Sequence, residues 1–368
     1  MSAFASGLQQ LTPGVLLMLG AGLLLVYLAV AREYEPMLLL PIGAGCILAN
    51  LPLSPLVEEN GLLTLLYRAG VGNEVFPLLV FVGIGAMTDF GPLLENPRMV
   101  LLGAAGQFGI FGTLLLALAL GFDLNEAASI GIIGAVDGPT SIYVSNRLAP
   151  HLIGPITVCA YSYMSLVPVI QPPIMRRLTS RAERRIRMPY SSRPIGRTTR
   201  VAFPLLVTIA VGLLVPMAIP LVGMLMLGNL MRESGVVERL TGASSKEIAN
   251  TVTLFLGLAV GSTMRGDAFL QPSTLQILAL GVFAFALDTV AGLLFAKGLN
   301  AASGGRFNPL IGAAGISAFP MAARVVNRVG LEEDFENFLL MHAMGANTAG
   351  QIASVVAGGV LLGLLGPA

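Results

Sequence analysis

Charge is what this chain most lacks. Asp, Glu, Lys and Arg make up 11% of its 368 residues, against roughly 25% in soluble domains. So few charges cannot cover a water-facing surface, which argues against a soluble enzyme. Tryptophan is absent, so any aromatic belt at a membrane surface must draw on the seven tyrosines. The two cysteines, Cys46 and Cys159, both lie in apolar runs and offer neither a disulfide framework nor a zinc site. No GxxxxGK[ST] loop, GxGxxG-opened βαβ unit, HExxH helix or nucleophile elbow occurs, so the chain carries no ATPase of its own. The net charge of +1 identifies no partner, and nothing in it points to nucleic acid.

Apolar sequence fills that gap. The chain is 55% hydrophobic with a mean hydropathy of +0.81. Apolar runs cover 11–31, 36–57, 75–88, 99–122, 153–175, 201–231, 248–264, 273–296 and 351–366. Runs of this length and number predict an all-α polytopic membrane protein. The first run is longer than a signal-peptide core and lacks a small-x-small site, so it reads as a retained helix. The 44 glycines and 23 prolines suit close helix packing and broken helices around a buried site.

One segment is strongly polar. Residues 176–200 hold nine of the 21 Lys and Arg and one acid, Glu183. An excess of basic residues marks a cytoplasmic loop. It divides the chain into a first membrane repeat, 1–175, and a second, 201–368. Landmarks recur at a near-constant spacing. Pro36 and Pro216 are 180 apart, Asn50 and Asn229 are 179 apart, and Phe90 and Phe269 are 179 apart. Pro139 and Pro320, and likewise Arg147 and Arg328, are 181 apart. Internal repeats of this kind build secondary transporters, with sites at discontinuous helices. Inverted repeats flanking a cytoplasmic loop need an odd number of crossings each. The expectation is about ten transmembrane helices plus two re-entrant segments, 127–147 and 308–328; twelve full crossings is the alternative. Arg68, Arg147 and Arg265 fall on the wrong side of that topology.

The sharpest local feature is "GAVDGPTS", 134–141. Asp137 is the only charged residue among the 20 between Glu126 and Arg147. An ionisable group that deep in a bilayer is a functional candidate. Gly138-Pro139 breaks the helix and frees carbonyls, and Thr140 and Ser141 add hydroxyls. An oxygen-rich break suits a hard cation such as Na+, though a carboxylate alone would equally bind a proton. The second repeat answers with "NPLIGAAGISAFPMAAR", 308–324. Asn308 starts it, Gly312 and Gly315 allow close approach, and Ser317 falls within one residue of the place of Asp137. Other polar residues in apolar surroundings are Tyr161, Tyr163, His342, Asn347 and Gln351.

"GAVDGPTSIYVSNRLAP", "AYSYMSLVPVIQPPIMR" and "NPLIGAAGISAFPMAARV" together closely resemble the β subunits of sodium-translocating biotin-dependent decarboxylases, a family acting on oxaloacetate, methylmalonyl-CoA or glutaconyl-CoA. The likeness runs from "NEVFPLLVFVGIGAMTDFGPLL" to "NTAGQIASVVAGG". It implies a bacterial or archaeal cytoplasmic-membrane subunit that decarboxylates carboxybiotin and couples this to outward Na+ transport with consumption of a proton. It also implies catalytic roles for Asp137, Tyr163 and Arg324, and Na+ binding at Asp137, Asn308, Ser317, Asn347 and Gly312. Arg324 would grip carboxybiotin, since Arg recognises planar carboxylates bidentately. The implied partners are a carboxyltransferase and biotin-carrier subunit and a small single-span membrane subunit, in a complex holding more than one copy of this chain. The chain has no Met-Lys-Met for biotinylation, so biotin would arrive on another subunit. A Na+/H+ antiporter without decarboxylase activity would use the same broken helices and is the competing reading. A purely structural membrane scaffold is a third, and Asp137 argues against it.

Overall fold

The computed structural model describes residues 6–188, 195–266 and 271–366. The middle of the basic loop and Phe269 of the repeat landmarks lie outside them. Every element among the described residues is helical, as a bilayer demands, because a helix satisfies its backbone polar groups within one segment. Five helices are long and apolar enough to cross a membrane: Pro13–Ala31, Met99–Ala119, Arg197–Leu214, Pro272–Ala302 and Leu340–Leu365. Two bent pairs raise the number to seven if each is one span. They are Pro36–Asn50 with Pro55–Gly72, bent by 104°, and Pro150–Met164 with Val167–Leu178, bent by 65°. Val75–Met87 is a shorter apolar helix.

Burial sorts these helices. Leu213 and Leu214 are 79% and 82% exposed, so Arg197–Leu214 offers leucines outward. Leu340–Leu365 instead runs through the core and buries Asn347, Thr348, Gln351 and Ser354 along its length. Polar groups are placed where protein rather than lipid surrounds them.

The two halves are interleaved. Pro36–Asn50 packs against Ala249–Gly261, and Val75–Met87 packs against Ile219–Ser234. At the ends of these contacts the landmark asparagines act alike. Asn50 Nδ2 donates to Met264 O at 2.6 Å, and Asn229 Nδ2 donates to Thr88 O at 2.9 Å. Each closes a helix end in the opposite half.

Two segments fold back on themselves. The first descends through Leu124–Gly131 and a 3-10 turn, Ile132–Ala135, then returns as Gly138–Leu148. Its ends meet, with His151 Nε2 lying 2.8 Å from Glu126 Oε1. Beside them Arg147 makes a two-pronged pair with Glu74, at 2.8 and 2.9 Å. The charge of Arg147 is therefore locally cancelled. The second segment runs from Asn308 through Pro309–Ala314 and returns as Met321–Glu333. Its two ends are gathered by one residue of the basic loop. Arg184 O accepts from Asn308 Nδ2 at 3.1 Å and from Asn337 Nδ2 at 2.7 Å, while the Arg184 guanidinium bonds Glu333 Oε1.

Candidate functional site

The tips of the two folded-back segments meet in the core. At the first, the helix cannot run on, because Pro139 removes a donor and sits at the start of a new helix, where proline is tolerated. The turn before it forces Val136 to φ +53°, a left-handed conformation that costs a β-branched residue about 1–3 kcal/mol. That strain aims Asp137 as the N-cap of Gly138–Leu148, where its Oδ1 accepts from Thr140 N at 3.2 Å. The helix N-terminus favours a carboxylate at that position.

The second tip completes the surroundings of that carboxyl group. Ser317 N donates to Ala135 O at 3.2 Å, docking tip on tip, and Ser317 Oγ donates to Asp137 Oδ2 at 3.1 Å. Ser354 Oγ lies 2.9 Å from Asp137 Oδ2 and equally 2.9 Å from Gln351 O, with one proton to place. Asn347 steadies the second tip, donating from Nδ2 to Ile316 O at 2.6 Å, and its Oδ1 is buried without a partner. The result is a compact set of oxygens from three segments, with Asp137 5% exposed. Hard cations prefer an all-oxygen set of this kind.

This cluster forms one wall of a cavity of about 590 Å³, within the ~300–1,000 Å³ range of small-molecule sites. Asp137, Ser317, Gln351 and Tyr161 line it, and so does Arg324. A second depression continues from Arg324 along Asn327, Arg328 and Glu332, toward the end of the molecule where Glu333 meets Arg184. Outside the helical bundle, that guanidinium and its neighbours Arg181 and Arg185 hold the Glu333 carboxyl below the usual carboxylate range.

The expected site residues thus divide. Asp137, Ser317 and Asn347 come together at the tips, and Arg324 shares their cavity. Arg324 is one turn into Met321–Glu333, nine residues before Glu333 or about 13 Å along the helix. It is deeper than the edge of the uncharged run suggests. Asn308 and Gly312 lie elsewhere. Asn308 caps the outer end of its segment, with Nδ2 bonded to Arg184 O and Ile186 O and Oδ1 to Leu310 N. Gly312 packs backbone to backbone on Gly292 of Pro272–Ala302. Tyr163 faces away from the cavity and donates to Leu278 O. Its neighbour Tyr161 lines the cavity, packed on Gly138. Ser354 and Thr88, which donates to Gln351 Oε1 at 3.2 Å, were not expected from sequence. Nor was Asp288, a second fully buried carboxyl. Its signal was present: it is the lone charge in the apolar run 273–296.

A multi-helix membrane-type protein with two broken segments meeting at a buried carboxylate has the build of an ion-transport protein. The comparisons narrow this class. The family model described as Na+-transporting oxaloacetate decarboxylase beta subunit matches residues 14–365, and the chain belongs to that family. It is 52% identical over 360 residues to the methylmalonyl-CoA decarboxylase subunit beta of Veillonella parvula, covering 98% of this chain and 95% of the relative. It is 50% identical over 417 residues to the oxaloacetate decarboxylase beta chain 2 of Salmonella typhimurium, covering 97% and 96%. The methylmalonyl-CoA decarboxylase subunit beta of Propionigenium modestum is 51% identical over 386 residues, covering 98% of each.

Proposed function

We propose that this chain is the membrane subunit that decarboxylates carboxybiotin and couples the reaction to outward Na+ transport. Carboxybiotin, delivered by a biotin-carrier subunit, takes up one proton at its ring nitrogen as the N–C bond breaks, giving biotin and CO2. Na+ binds at Asp137 with Ser317, Ser354 and Asn347 as oxygen partners. Asn308 and Gly312 serve that site by holding the second tip in place, and Tyr163 acts through the helix that carries Tyr161. Arg324 grips the carboxylate of carboxybiotin in the shared cavity. The observation that carries this reading is the cavity that Arg324 shares with the oxygen cluster of Asp137. A carboxylate grip and a cation site in one chamber give chemistry and transport a common space.

Ten crossings arranged as two inverted repeats, with the folded-back segments re-entrant from opposite faces, fit this function. Supporting that topology are the matched contacts of Asn50 and Asn229, and the gathering of the ends of one segment at Glu126 and His151 and of the other at Arg184. The setting is the cytoplasmic membrane of a prokaryote. The other members of the complex are a carboxyltransferase carrying biotin, a small single-span subunit and further copies of this chain. The test is to give the purified protein free carboxybiotin and measure CO2 with and without Na+. Na+-dependent release is expected. Na+/H+ exchange in vesicles with no CO2 release would replace this reading with the antiporter.

A further inference from the structure

Asp288 is 0% exposed in the middle of Pro272–Ala302, 16 residues after Pro272 and 14 before Ala302. By helical rise that is about 24 and 21 Å from the two ends. Its Oδ1 accepts from Gly109 N at 2.5 Å, and its Oδ2 has no hydrogen-bond partner. Two glycines make room for it. A Cβ at Gly134 would stand 2.9 Å from Oδ2, and one at Gly109 would stand 2.2 Å from Oδ1. Gly134 is three residues before Asp137, so this second carboxyl rests against the same tip. The polar strip continues to the other tip. Gln171 Nε2 lies 3.5 Å from Thr289 Oγ1 and donates to Ala313 O at 2.7 Å, four residues before Ser317, while Gln171 Oε1 has no partner.

Opposed influences act on this group. Gly109 N–H is in the first turn of Phe108–Ala119, and a helix N-terminus favours the anion. Complete burial and an unpartnered Oδ2 leave nothing to compensate a charge there, and an uncompensated charge in a bilayer core is costly. Asp137 stands three residues beyond Gly134, and Lys297 lies nine residues along the same helix. Among the segments packed on this helix, 99–105, 108–119, 132–135 and 309–314 contain no titratable group. Ile153–Ser165 brings Cys159, Tyr161 and Tyr163, of which Tyr163 packs at Gly281, seven residues away. Arg176 and Arg177 stand at the end of Val167–Leu178, and Glu126 is at the outer end, bonded to His151.

We propose that Asp288 is a second ion-exchanging carboxyl of this protein, a proton site distinct from the Na+ site at Asp137. It holds a proton in the closed arrangement described here and releases it when the first tip moves away from Gly109 and the 272–302 helix. The released proton matches the one that breakdown of carboxybiotin consumes, so this inference rests on the proposed function.

The experiment compares the wild-type complex with Asp288→Asn in vesicles. CO2 release by the wild type tests the parent reading by itself. Given that activity, Asp288→Asn is expected to lose at least tenfold in turnover and to lose the pH dependence of the remainder. Its Na+ affinity, from equilibrium binding of radioactive Na+, should stay within twofold. Wild-type turnover with an unchanged pH profile overturns the proposal, as does loss of Na+ binding in step with turnover. If Asp288→Asn does not assemble, infrared spectroscopy of Asp137→Asn decides, since Asp288 is then the only buried carboxyl among the described residues. A protonated-carboxyl C=O band that titrates with pH supports the site, and its absence overturns it. That band also survives a failure of the parent reading, because it needs no carboxybiotin.

Discussion

The two folded-back segments share a plan and differ in chemistry. Each breaks at a tip in the core, and each has its ends gathered at one side of the molecule. The first carries an acid at its tip and a strained Val136 before it. The second carries a neutral serine at its tip and an arginine one turn into the helix that returns from it. Placed against each other they give one site with a carboxylate at its centre and a cation on its wall. In the proposed function neither would serve alone: the first tip would lack a grip for a carboxylate substrate, and the second would lack the charge to hold Na+.

Removing the acid should break the pairing most completely. Asp137→Asn keeps the shape and one acceptor but loses the charge. Na+-dependent CO2 release should fall at least 100-fold in a complex that still assembles. Wild-type turnover in the assembled variant would remove Asp137 from the ion site.

The serine of the second tip should matter less. Ser317 Oγ gives Asp137 one hydrogen bond, and bonds to charged groups contribute about 1.5–3 kcal/mol. Ser317→Ala should therefore raise the Na+ concentration for half-maximal CO2 release roughly 10–100-fold, at 1.4 kcal/mol per tenfold. Unchanged Na+ dependence would show that the two tips touch without sharing the ion.

Arg324 tests the other half of the comparison. Lysine keeps the charge but not the planar fork. Arg324→Lys should raise KM for free carboxybiotin about fivefold while half-saturation by Na+ stays unchanged. A shift in Na+ dependence alone would move Arg324 from the substrate wall into the ion path.

How far these tips could be read from sequence follows from local chemistry. A carboxylate beside Gly138-Pro139 in an uncharged run announces a break with a purpose, and the repeat spacing led from Asp137 to Ser317. Ser354 gave no such sign, since a serine among Ala353, Val355 and Val356 looks like any small packing residue in a membrane helix. Tyr161 and Tyr163 differ by two residues, about 200° around a helix, so one faces the cavity and the other cannot. Which one does depends on the rotation of the helix, set by tertiary packing. Asn308 and Ser317 share a segment, but only the folded chain puts one at the tip and the other at the base. The basic loop was legible as a charged divider. Its clasp on the second segment was not, because Glu332, Glu333 and Asp334 are roughly 150 residues away in sequence.

That clasp separates the bases of the two segments, and it predicts the smallest effect. The first base is held by Arg147 with Glu74. The second is held by Arg184, 6% exposed, with Glu333 at 2.5 Å. The Arg184 hydrogen bonds, with the charges of Arg184, Arg181 and Arg185, keep the folded carboxyl of Glu333 below its ordinary value. A depressed carboxylate stabilises the fold at pH above its unfolded value, near 4.3, and that contribution disappears as pH falls through the lower, folded value. Wild-type protein should therefore lose part of its thermal stability on acidification below about pH 4.3. Glu333→Gln should start with a Tm a few degrees lower at neutral pH, because Arg184 loses its charged partner. It should also lose less on acidification, since the group that titrates is gone. Scanning calorimetry of both proteins at several pH values checks this. Parallel Tm profiles would mean that the clasp adds nothing to stability, and that the carbonyl of Arg184, bonded to Asn308 and Asn337, holds the second segment without it.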